Sequence, residues 1–294
     1  MPRKVRRKKG NPKAATPTYR EEGVKSSRPD TKPALIALFL VILLIGSALY
    51  FTTMVDEKPA IEYGVDSELL TNNHNVEPGY DTDFVLIVKN TGSIVDTFDI
   101  SVESNNGGFI ITIEEDYESI VLTKNGIKPI IINVKTSSSS TGQLHAYLEA
   151  RSQGDSSQSS YVRLNVTTDY EFGNHVSEGD LISVHYAGIL AKNANLFDSS
   201  MEYVWDNYEY RKSGVTDSNK HTATLGACLE ISAQDCPQSH QQMIAGFTEK
   251  TKAMYEGQTL SVRIPASDAY GSDPNQHDLG GEDLIFEIII VSID

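Results

Sequence analysis

The sequence predicts an anchored, mostly β protein. It should hold one membrane-spanning helix near the N-terminus, then an all-β sandwich, then an α+β domain of several strand-like runs and one short helix. Three features carry this reading. A 22-residue uncharged run follows a basic head. Seven short β-rich runs separated by turn signals come next. The last third then alternates strand-like runs with a single helical stretch.

The basic head, residues 1–33, has eleven Lys and Arg against Glu21, Glu22 and Asp30 within its first 32 positions. The chain as a whole carries −15, so about −23 falls on the remainder. A remainder this acidic is repelled by a nucleic-acid backbone, and no nucleic-acid partner is expected. Ala34 to Val55 contains no charged residue. As a helix it would extend about 33 Å, enough for a hydrocarbon core of about 30 Å. Gly46-Ser47-Ala48 could pass for the cleavage site of a secretory signal. The long basic region before the run and its continuation to Val55 favour an uncleaved anchor in contact with membrane lipid. The bias of Lys and Arg toward cytoplasmic flanks then puts the N-terminus in the cytoplasm and the domains beyond Val55 outside, on a single-pass protein of the cell membrane.

Residues 56–75 are polar, without clean periodicity, and read as a tether. From 76 to 168 the strand-like runs are Phe84–Val88, Thr97–Val102, Phe109–Ile113, Ile120–Leu122, Ile130–Val134, Gln143–Ala150 and Tyr161–Val166. Turn signals such as Asn90-Thr91-Gly92 and Asn125-Gly126 separate them. Seven strands in about 90 residues suggest a β-sandwich. The phrase Glu77-Pro78-Gly79, followed by a strand ending Val88-Lys89-Asn90-Thr91-Gly92, resembles Ig-like modules of secreted and surface proteins. No acid pair, histidine cluster or nucleophile stands out there. His74 and His145 are isolated and read as ordinary packing or surface residues. The region reads as a spacer or binding module.

Residues 169–294 hold the chemistry. In order come Val184-His185-Tyr186-Ala187-Gly188, Phe197-Asp198-Ser199-Ser200, Leu225-Gly226, Ile244-Ala245-Gly246-Phe247, Met254-Tyr255-Glu256-Gly257, Ile264-Pro265, Ala269-Tyr270-Gly271 and Leu284-Ile285-Phe286-Glu287-Ile288. Each phrase alone is weak, but their order and spacing together resemble the FK506-binding-protein (FKBP) type of peptidyl-prolyl cis-trans isomerase. The resemblance implies a bent antiparallel sheet over a helix from about Ala245 to Tyr255, capped by Gly257. It implies a catalytic pocket of Tyr186, Phe197, Asp198, Ile244, Phe247, Tyr270 and Phe286, with Met243, His221 and Leu279 as substrate-binding neighbours. The Ile244 N–H should bond a substrate carbonyl. The implied activity is exchange at X-Pro bonds of unfolded or exported polypeptides by a membrane-anchored folding factor. It needs no cofactor and no metal.

The sequence departs from that family pattern in several places. Phe247 stands where many relatives have Trp, and His221 where Phe is frequent. The loop Ser272–Gly281 keeps only Leu279 of its usual apolar lip. These departures leave open a non-catalytic chaperone or peptide binder on the same fold. The loop Met201–Lys220 carries Tyr203, Trp205, Tyr208 and Tyr210, which could grip substrate or pack on their own domain. Cys228 and Cys236 fall in an insertion, Ala227–Gln242. Outside the membrane they are expected to form a disulfide; two free thiols, or a zinc site with His240, are the alternatives.

Overall fold

The computed structural model describes residues 38–44 and 60–294. The expected spanning helix is corrected. Among the described residues no helix is long and apolar enough to cross a membrane. Of the apolar run, residues 38–44 form a helix, α1. At 1.5 Å per residue it reaches only about 10 Å. The rest of the run and the basic head lie outside the described residues. Ile61–Asp294 forms one compact unit, and residues up to Ala60 belong to another.

The unit from Ile61 begins with nine strands: β1 Val65–Leu69, β2 Asn73–Asn75, β3 Asp81–Asn90, β4 Asp96–Asn105, β5 Phe109–Ile113, β6 Ser119–Leu122, β7 Ile127–Thr136, β8 Gln143–Ser152 and β9 Ser159–Thr167. They form two sheets, ordered β1-β3-β7-β5 and β2-β9-β8-β4-β6. The inner faces share a core of Phe84, Leu86, Ile130 and Ile132 against Phe98, Ile100, Leu148 and Leu164. The expected tether is therefore structured from Val65 onward, because β1 pairs β3 and β2 pairs β9 in parallel. Strand β3 is buried on both faces. Phe84, Leu86 and Val88 enter the sandwich core, while Val85 and Ile87 point the other way into a second apolar cluster. Burial on both sides explains why Phe84–Val88 is a continuous apolar run and does not alternate.

The C-terminal sheet contains β10 Leu181–Leu190, β11 Leu196–Ser199, β12 Leu225–Cys228, β13 Gln241–Gln242, β14 Thr259–Ile264 and β15 Leu284–Ile293. Its order is β13-β12-β10-β15-β14, with β11 paired to β10. A short helix, α2 (Glu202–Asn207), follows β11, and α3 (Ala245–Thr251) packs on the inner face. Strand alternation divides the sheet. Tyr186, Phe286 and Ile288 face α3, whereas Ala187, Ile189 and Ile285 face the cluster that contains Val85 and Ile87 of the sandwich.

Helix α3 ends four residues earlier than expected. The Thr251 hydroxyl donates to the carbonyls of Phe247 (3.1 Å) and Thr248 (3.0 Å). Tighter bonds follow, from Ala253 N–H to Lys250 O and from Met254 N–H to Thr251 O. Together they satisfy the last-turn carbonyls and close the helix. Gly257, at φ +83°, instead serves the turn before β14, where the left-handed region favours glycine.

Candidate active site

The site is set by strand register. On β10, Gly188 is opposite Asp198 of β11 on one side and Phe286 of β15 on the other. Gly188 has to lack a side chain: a Cβ there would stand 2.4 Å from Cζ of Phe197. The bare backbone lets the Phe197 ring lie across the strand and meet Phe286 edge-on at 5.5 Å. Phe247 of α3 is fully buried and meets Phe286 edge-on from below, also at 5.5 Å. Edge-to-face contacts of this kind fix ring orientation beyond what area burial supplies.

The resulting cavity holds about 220 Å³ and is lined by Tyr186, Phe197, Asp198, Ile244, Tyr270 and Phe286, with Met243, Leu225, Gln241 and Gln242 on its flank. Phe247 is its support and not part of its surface. Ile244 is the residue before α3 and has extended backbone. Its carbonyl accepts the Thr248 N–H at 3.1 Å, while its own N–H has no partner among the described residues.

Two tyrosines bracket the cavity, one with its hydroxyl engaged and one with it free. The Tyr186 hydroxyl donates to Asp198 Oδ2 at 2.5 Å. Burial raises its pKa well above the ordinary phenol value, and the hydrogen bond and charge of Asp198 raise it further. It therefore stays a neutral donor. Tyr270 follows a 3₁₀ turn, Ala266–Asp268, and stacks flat on His277 with centroids 4.0 Å apart. Burial, then the charge of Asp198, raises its pKa too. Its hydroxyl has no intramolecular partner among the described residues, so it is left for a ligand.

His221 Nε2 lies 3.0 Å from Asp198 Oδ1, at a rim where both side chains are 43% exposed. It contacts the carboxylate and does not line the cavity. Leu279 is placed differently from expectation. It is buried in the domain core, outside the cavity lining. The lip is thus more polar than expected, with His277 against Tyr270. Trp205 and Tyr208 are buried and tied down by bonds to Ser199 O (2.6 Å) and Ala194 O (2.5 Å). That loop packs on its own domain, leaving Tyr203 exposed. Cys228 and Cys236 are disulfide-bonded. The sequence reading missed three wall residues: Leu225, which is placed by its pairing with Val184 of β10, and Gln241 and Gln242, which are placed by the short parallel pairing of β13 with β12. Larger hollows exist, including one of about 420 Å³ beside His185, Met201 and Val204. They lack the convergence of aromatic rings with a free N–H and a free hydroxyl. Among the described residues no group of acids, histidines and cysteines is placed to hold a metal ion.

The family model described as FKBP-type peptidyl-prolyl cis-trans isomerase matches residues 230–291. The C-terminal domain is of the FKBP type. The matched stretch contains Met243, Ile244, Phe247, Tyr270, Leu279 and Phe286; Tyr186, Phe197, Asp198 and His221 precede it. No curated protein matches the chain. Among solved structures, the ASH/PapD-like domain 7 of human CEP192 is 13% identical, over 39% of this chain and 94% of that one, with a TM-score of 0.29. A family 123 glycoside hydrolase from Clostridium perfringens is 14% identical, over 36% of this chain and 27% of that one, also at 0.29. WR4, an MSP family member of C. elegans, is 8% identical over 35% and 96%, at 0.25. These scores are too low to support an argument.

Proposed function

We propose that this domain catalyses cis–trans exchange at X-Pro bonds, and that its substrates are exported polypeptides still folding. The observation that carries this is the convergence of Tyr186, Phe197 and Phe286 on one small cavity, with the Ile244 N–H and the Tyr270 hydroxyl unengaged at its edge. The barrier to rotation is about 18–20 kcal/mol of amide resonance, and uncatalysed exchange takes tens of seconds or more. No bond is made or broken, so neither nucleophile nor metal is required. The aromatic walls hold the proline ring. The two free donors hold flanking carbonyls, so rotation is confined to the X-Pro bond. An apolar surround favours the twisted amide, which has lost charge separation, over the planar one. The Cys228–Cys236 disulfide supports an oxidising location and hence exported clients.

A second reading, a peptide-binding chaperone without catalysis, is favoured by one feature. The lip over the cavity is polar, with Leu279 turned into the core. A protease-coupled or NMR exchange assay on X-Pro peptides separates the two. Acceleration that rises with protein concentration is expected. Binding of unfolded chains with no acceleration across a panel of peptides would leave the chaperone reading in its place.

A further inference from the structure

Phe286 faces the cavity, so the next residue of β15, Glu287, faces the opposite side of the sheet. Glu287 is fully buried, and so is His74 of β2 in the sandwich. His74 Nε2 is 2.7 Å from Glu287 Oε1, an oxygen that also accepts the Thr71 hydroxyl. The other carboxylate oxygen accepts the Ser261 hydroxyl from β14. The second ring nitrogen of His74 lies 2.9 Å from Thr82 Oγ1, and the ring stacks on Phe84 at 3.8 Å. Thr82 Oγ1 lies 3.4 Å from the carbonyl of Thr259 on β14, and Asn75 Nδ2 donates to Gly257 O at 3.1 Å. Around this polar knot, Leu70, Val85 and Ile87 of the sandwich close an apolar seam with Ala187, Ile189 and Ile285 of the isomerase sheet.

We infer that the sandwich is a working part of the isomerase unit, with His74 and Glu287 as positioning residues that hold β15, and through it Phe286, from behind the pocket. The sequence reads the same region as a spacer or binding module. Lifting the sandwich away would expose the apolar back of the sheet. It would also leave Glu287 without the His74 ring that pairs with one of its oxygens. Removing one partner of a buried pair is strongly unfavourable, whereas replacing both with apolar groups of similar volume often is not. The catalytic half of the inference rests on the isomerase reading of the pocket; the structural half does not.

The test uses the full chain. Denaturant unfolding should give one transition for residues 61–294, by Trp205 fluorescence and by circular dichroism alike. Two separated transitions would overturn the inference. His74→Leu should lower the midpoint and speed hydrogen exchange of the Ile285–Ile288 amides at least tenfold relative to β4 and β8. The double variant His74→Leu/Glu287→Leu should recover most of the lost midpoint. At a temperature where His74→Leu is fully folded, its kcat/KM on an X-Pro peptide should fall at least fivefold. His74→Gln, which keeps hydrogen-bonding capacity toward both neighbours, should stay within twofold of wild type. A folded His74→Leu with wild-type kcat/KM would overturn the positioning role. If the wild-type protein shows no isomerase activity, the proposed function fails, and the unfolding and exchange measurements decide this inference by themselves.

Discussion

Removing the hydroxyl of Tyr270 and removing that of Tyr186 are the same chemical change, and the structure assigns them different consequences. Tyr270→Phe removes a hydroxyl that bonds nothing within the described protein. Stability should stay within about 0.5 kcal/mol, as for a change that breaks no named interaction. The effect belongs to the substrate complex. One neutral hydrogen bond is worth about 0.5–1.5 kcal/mol net, which lowers kcat/KM roughly 2- to 12-fold. Tyr186→Phe breaks the bond to Asp198. A buried hydrogen bond to a charged group would be worth about 1.5–3 kcal/mol. The Asp198 side chain, however, is 43% exposed and already holds His221 on its other oxygen, so water can replace the lost donor and about 1 kcal/mol of stability is the reasonable figure. Activity should fall as well, because the freed carboxylate can swing out of the rim. Thermal unfolding paired with isomerase kinetics on both variants is the assay. If Tyr270→Phe lowers the melting temperature as much as Tyr186→Phe does, or leaves kcat/KM unchanged, the assignment of a free and an engaged hydroxyl is wrong.

Gly188→Ala should push the Phe197 ring off the strand, since the new Cβ would stand 2.4 Å from it. About 1–3 kcal/mol of overpacking strain is expected, with weaker binding of proline peptides measured by titration calorimetry. Mass spectrometry without reductant should recover Cys228 linked to Cys236. In the chain-entropy account a loop this short contributes about 2–3 kcal/mol, so reduction should lower the unfolding midpoint, and an unchanged midpoint would count against it. Two carboxylates, half-buried Glu68 of β1 and fully buried Glu287, are shifted in opposite senses. Burial raises Glu68 to about 7, helped by the charges of Asp66 and Glu209 against that of Lys89. It binds a proton in the folded state where the unfolded chain has lost it, so stability should decline as pH rises from about 4.5 to about 7. Glu68→Gln should flatten that slope and stabilise the protein at pH 8. Burial alone would raise Glu287 as well, but His74, Ser261 and Thr71 outweigh it and hold the carboxyl below its ordinary value. Its contribution is present above the unfolded carboxylate range and lost as pH falls below it. Melting temperature against pH for wild type and Glu68→Gln checks both signs.

The pocket was legible because each of its parts is fixed locally. Alternation on β10 and β15 puts Tyr186 and Phe286 on one face, and a glycine two residues after Tyr186 makes room for Phe197. Such short-range constraints leave short phrases in a sequence. What was not legible depends on partners distant in the chain. Leu279 reads as a lip residue by spacing, yet it packs in the core. His74 reads as isolated because its partner is 213 positions away, on β15. Strands β1 and β2 have no periodicity of their own; pairing with β3 and β9 makes them strands. The uncharged run 34–55 reads as a span by its hydropathy; the described helical part of it is residues 38–44. Two signals were present and underused. One was the unbroken apolar stretch Phe84–Val88. The other was a lone glutamate inside the apolar strand Leu284–Ile290.

That glutamate also bears on why a buried carboxylate and its histidine partner should lie behind the pocket. Stability alone does not call for it, since a well-packed apolar pair would serve as well or better. Strand register does. Side chains alternate, so a one-residue slip of β15 would turn Phe286 toward the sandwich and Glu287 into the cavity. The pairing of β10 with β15 already contains one shift, between Ser183 and Val184, so the ladder is not uniformly pinned by its own hydrogen bonds. In a strand reading Leu-Ile-Phe-Glu-Ile-Ile-Ile, apolar packing distinguishes the two registers poorly. A carboxylate that is satisfied only opposite His74, Thr71 and Ser261 distinguishes them strongly. A slip would strand the carboxylate among Phe197, Phe247 and Ile244, and leave His74 buried without it. The carboxylate behind the sheet thus specifies which side of β15 the pocket receives, and β15 then contributes the Phe286 ring and no charge to the cavity.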